Sequence, residues 1–182
     1  MLQITIPAVD QCWDEQKQEF VSIKEQKLQL EHSLVSLSKW ESKWHKPFLS
    51  KEPKTNEETL DYIKCMTITQ NVDPNIYLCL TRENIEQVNQ YIEDPMTATW
   101  FSEESKRGGS GREQTTAELI YYWMIALNIP FECQKWHLNR LLTLIRVCNI
   151  KNQPPKKMSR RDIMSRNSAI NAARRKKYNS KG

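Results

Sequence analysis

Four glycines in 182 residues set the tightest limit on what this chain can become. Three of them, Gly108, Gly109 and Gly111, fall in one loop, SEESKRGGSGRE (102–113), and the fourth is Gly182. Sandwiches and barrels need many tight turns, and glycine takes the positive φ that such turns demand. So poor a supply favours helices. Residues 1–32 read as the exception. LQITIP (2–7), EFVSIK (19–24) and KLQLE (27–31) alternate apolar and polar side chains, which predicts a small antiparallel sheet or hairpin pair.

From Ser33 the period lengthens. Leu34, Leu37, Trp40, Glu41 and Trp44 share a helical face that Pro47 ends. TNEE (55–58) is a capping box, and it opens a helix carrying Leu60, Ile63 and Met66. Asp73-Pro74 starts a short helix through Leu80, and Thr81 caps another whose stripe is Ile85, Val88, Tyr91 and Ile92. TTAE (115–118) reads as a further capping box ahead of ELIYYWMIALN, a helix apolar on most of its circumference and so expected at the buried centre. FECQKWHLNRLLTLIRVCNI is expected to continue as one helix facing the core with Trp136, Leu141, Leu144, Ile145 and Cys148.

Charge divides the chain. Residues 1–150 hold 16 basic and 21 acidic side chains, whereas 151–182 hold eleven basic ones against Asp162 alone. IKNQPPKKM (150–158) reads as a proline-broken linker, and Ser159 with Asp162 starts a basic helical arm over 159–182. The expected fold is therefore mainly α. A helical core domain (33–149) follows the N-terminal β element (1–32), and linker and arm come after it.

Motifs for chemistry are scarce. Cys133 and His137 are four apart on the expected helix, but a zinc site needs four ligands and no second pair exists, so no metal is expected. GGSGRE lacks the Lys-Ser/Thr of a phosphate cradle. No serine stands in a Gly-x-Ser-x-Gly elbow. The reading is of a protein with no catalytic residues and no cofactor. LIYYWMIALNIPF (119–131) is too short to span a bilayer, so no membrane partner is expected. The five cysteines are odd in number and widely spaced, and MLQITIPAVD has no signal-peptide pattern, so the expected compartment is a cytoplasm with reduced thiols.

Of six tryptophans, Trp40, Trp123 and Trp136 are expected in the core, while Trp100-Phe101 is a candidate exposed anchor for a partner. The other candidate contact residues are the basic ones of linker and arm: Lys156, Lys157, Arg160, Arg161, Arg174, Arg175, Lys176 and Lys177. With Tyr178 as its only aromatic, residues 151–182 offer no stacking platform for single strands, which favours a protein partner over nucleic acid.

Five blocks together resemble a set of proteins encoded in the structural gene block of long-tailed bacteriophages. They are LEHSLVSLSKWESKWHKPFL (30–49), TLDYIKCMTITQNVDPN (59–75), MTATWF (96–101), LIYYWMIALNIPFECQKWHLNRLLTLIRVC (119–148) and RNSAINAARRKKYNSKG (166–182). The set is identified with tail assembly chaperones, which bind the tape measure protein and keep it soluble until the tail tube polymerises around it. The resemblance implies a small, mostly helical, non-catalytic protein of the infected bacterium's cytoplasm. Its partners would be the tape measure protein or other tail proteins, with self-association possible. Two alternatives are a structural component of the tail or neck, found in the virion, and a nucleic-acid-binding accessory protein.

Overall fold

The computed structural model describes residues 1–14, 18–101, 114–154 and 159–179. The protein is mainly α-helical with a small N-terminal antiparallel β element. It divides into two compact units, Met1–Asn149 and Ile150–Gly182.

The first unit opens with a ribbon of four strands in two antiparallel pairs, one pair falling between the strands of the other in sequence. Strand β1 (Leu2–Ile6) pairs antiparallel with β4 (Gln26–Leu30), and between them β2 (Val9–Asp14) pairs with β3 (Glu19–Ile23). The period-two pattern fixes which face is wet: Ile4, Ile6, Leu28 and Leu30 are buried, while Gln3, Thr5, Lys27 and Gln29 are exposed. Strand β2 went unanticipated, because VDQCWD does not alternate cleanly and its register slips between Val9 and Cys12. The outer edge of β4 is sealed by residues 66–69. Glu31 N–H donates to the Met66 carbonyl at 2.9 Å, and Ile68 N–H to that of Gln29 at 2.8 Å.

Helix α1 (Leu34–Trp44) starts at Ser33, whose hydroxyl accepts from Ser36 N–H while Ser36 returns the bond. Its buried face is Leu34, Leu37, Trp40 and Glu41. Helix α2 (Asn56–Met66) begins at the expected box: Thr55 accepts from Glu58 N–H, and Glu58 accepts from Thr55 N–H at 2.8 Å. Two indoles bind these helices together. Trp40 Nε1–H donates to the Glu58 carbonyl at 2.8 Å, and Trp44 Nε1–H to Asp61 at 2.9 Å. A 3-10 helix (Pro74–Cys79) and α3 (Arg82–Glu93) follow, the latter capped by Thr81 and packed on β1.

Helix α4 (Ala117–Ala126) is capped by Thr116, one residue later than the expected box. The stretch after it is not one helix. Phe131–Lys135 is a 3-10 turn, Trp136 is extended, and α5 (Leu138–Asn152) begins anew. The cause is tertiary: Ser33 and His137 form a β-bridge, and Leu138 N–H donates to the His32 carbonyl at 2.7 Å. Cys133 and His137 therefore do not share a helix. Helix α5 also runs through Asn152, so the first three residues of the expected linker are helical.

Strands and helices of the first unit share one core, from Ile4 and Leu28 through Trp40 and Ile76 to Ile120 and Leu141. The second unit contains α6 (Arg160–Tyr178), capped by Ser159, whose hydroxyl accepts from Asp162 N–H at 3.1 Å.

Candidate functional site

The expected anchor pair separates into two environments. Trp100 is 89% exposed, whereas Phe101 is half-covered and carries the Arg146 guanidinium 4.0 Å above its ring. Of this pair, Trp100 is the one that presents a bare aromatic surface. On α6, Arg160, Arg161, Arg174, Arg175, Lys176 and Lys177 are all exposed. Lys156 and Lys157 lie outside the described residues, as does the glycine loop 102–113.

Helix α4 corrects the sequence reading. Its inner face is Ala117, Ile120 and Met124, but Tyr122 and Ile125 stand 63% and 60% exposed on the other side. Phe131, in the turn that follows, is also exposed. The sequence hid this face because ELIYYWMIALN is apolar all round, so no polar stripe marks the side that meets water. Trp136, expected in the core, is instead part-exposed beneath the Arg140 guanidinium at 4.4 Å, placed there by the extended break before α5. Trp40 is buried as expected, and Trp123 packs at the core's margin.

The most polar interior cluster is already satisfied. His137 Nδ1 accepts from Asn139 N–H at 3.3 Å, so Nε2 carries the proton and donates to the Tyr91 carbonyl at 2.9 Å. Tyr91 donates in turn to Glu31 at 2.7 Å. The Tyr91 hydroxyl is pushed up from its ordinary pKa, first by burial and then by that carboxylate. His32 sits edge-on to His137 at 5.1 Å and bonds the Tyr62 hydroxyl at 2.5 Å. Burial, with His137 second, holds the His32 imidazole down at about 3. These groups tie the residues that follow β4 to α2, α3 and the start of α5. Among the described residues, no three His, Cys, Asp or Glu side chains gather as a metal site.

What the surface can do is bind: a bare indole at Trp100, the Tyr122–Ile125 face, and a cationic helix in the second unit. Among the described residues, no helix is long and apolar enough to cross a membrane. Set against known protein families, curated proteins and solved structures, the chain matches none.

Proposed function

We propose that this protein is a tail assembly chaperone that binds the tape measure protein of a long-tailed bacteriophage in the infected cell's cytoplasm. The reading rests on the five sequence blocks already described, and one structural observation carries it further. Helix α4 turns Tyr122 and Ile125 outward although Ala117, Ile120 and Met124 already supply its core contacts. A client helix lying on that face would cover an aromatic and a branched aliphatic side chain. Burial contributes roughly 1.5–3 kcal/mol for each large apolar side chain fully covered, a scale suited to reversible holding. Trp100 supplies a further anchor of the type enriched at interfaces.

The test is co-expression with the tape measure protein. The wild-type chain raises the client's soluble yield and copurifies with it, and Tyr122→Ser with Ile125→Ser reduces the copurified client at least tenfold. A client that stays insoluble, or a complex indifferent to both substitutions, overturns the reading. Stoichiometric amounts of the protein in purified virions, measured by mass spectrometry, would instead make it a structural component of the tail or neck.

A further inference from the structure

Helix α6 spans 19 residues, about 28 Å at the usual rise, and every one of them is exposed. It holds seven basic side chains against Asp162, and its large apolar side chains, Ile163, Met164, Ile170 and Tyr178, are interrupted along their face by Arg160, Asn167, Asn171 and Arg174. Ile163 and Ile170 are two turns apart, with Arg166 and Asn167 at the positions where a helix bound in an apolar groove would need anchors. Arg174, Arg175, Lys176 and Lys177 follow one another at about 100° per residue, so they look out in four directions. A flat acidic protein surface meets only one side of such a helix. A groove walled by anions meets several.

We infer that α6 seats in the major groove of double-stranded DNA. The helical repeat arranges it for that. Asn167 and Asn171 stand one turn apart on one face, with Arg161 and Arg175 to one side of it and Arg174 and Lys177 to the other. The flanking cations reach the phosphates of the two walls, while the asparagines face the base edges, where their amides can pair with adenine. Ser168, Ala169, Ala172 and Ala173 keep the middle of the helix slim, and the B-form major groove, about 12 Å wide, admits one helix. The second unit thus carries a polyanion contact separate from the apolar face of α4. It goes beyond the chaperone reading and stands or falls without it.

The experiment is fluorescence anisotropy of the full chain with a labelled 24-base-pair DNA duplex. Duplex RNA of matching sequence and poly-glutamate serve as competitors, and far-UV circular dichroism confirms helix content. Binding at 50 mM salt weakens roughly a hundredfold or more by 200 mM, as phosphate contacts release counterions. R174Q/R175Q/K176Q/K177Q, with helix content intact, removes the binding or flattens the salt slope by about one per charge lost. RNA duplex competes at least tenfold less well, because its major groove is too narrow for a helix. No binding at 50 mM salt, affinity undiminished in the quadruple variant, equal competition by duplex RNA, or equal competition by poly-glutamate each overturns the proposal. The last of these would assign the helix to an acidic protein.

Discussion

Glu41 is a carboxylate buried in the first unit, and both of its oxygens are committed. One accepts Phe48 N–H at 2.8 Å, and the other accepts Ala117 N–H at 2.7 Å. Ala117 is the first residue of α4, whose leading N–H groups have no partner within the helix and whose amino end favours an anion. One side chain of α1 thereby fixes where α4 starts. Glu41→Ala leaves two buried donors without acceptors and should cost about 3 kcal/mol in urea unfolding, with Glu41→Gln costing about half. The buried His32 makes a second prediction. Its native pKa of about 3 lies below the ordinary 6.5, so between those values the unfolded chain takes up a proton that the native state refuses. Stability from this group is complete above the ordinary value and is lost as pH falls toward 3, by at most about 1.4 kcal/mol per pH unit. Urea midpoints at pH 7 and pH 5 measure it. His32→Gln should lower the pH 7 value yet flatten the slope, and an unchanged slope refutes the assignment.

Helix starts were the most legible elements, because a cap is local chemistry. Ser33, Thr55, Thr81 and Ser159 each put a short oxygen side chain just before a helical run, and each accepts a backbone N–H there. Thr55→Ala should lower stability by about 1 kcal/mol, read as a fall in denaturant midpoint at unchanged slope. Glu58 strengthens that helix start from a second direction. Lys46 lies 2.6 Å from its carboxylate and holds it below the usual range, with the Thr55 N–H adding to the effect. What could not be read was set by partners distant in sequence. The break at Trp136–His137 follows from bonds to His32 and Ser33, and the outward side of α4 is chosen by which of its apolar faces meets α1. The candidate contact surface was correspondingly half legible. The run Arg174–Lys177 and Trp100 stand exposed as composition suggested, Phe101 lies under Arg146, and Tyr122 with Ile125 was concealed by the uniform apolarity around it.

Among the described residues, every fully buried apolar side chain of the molecule falls between Ile4 and Ile145. Ending the chain after Pro154 should therefore leave the melting temperature within about 2 °C of the full-length value, measured by calorimetry. A larger fall would show that the second unit contributes to the stability of the first. The bond from Leu138 N–H to the His32 carbonyl has a different consequence, one of timing. The residues that follow β4 are tied to a helix made more than a hundred residues later. At 5–20 residues per second, roughly five to twenty seconds of synthesis separate the two partners. Until Leu138 leaves the ribosome, the His32 carbonyl waits for this donor, although α3 and residues 66–69 are already made. The first unit can therefore close only after α5 is made, and slowing translation should lengthen that interval.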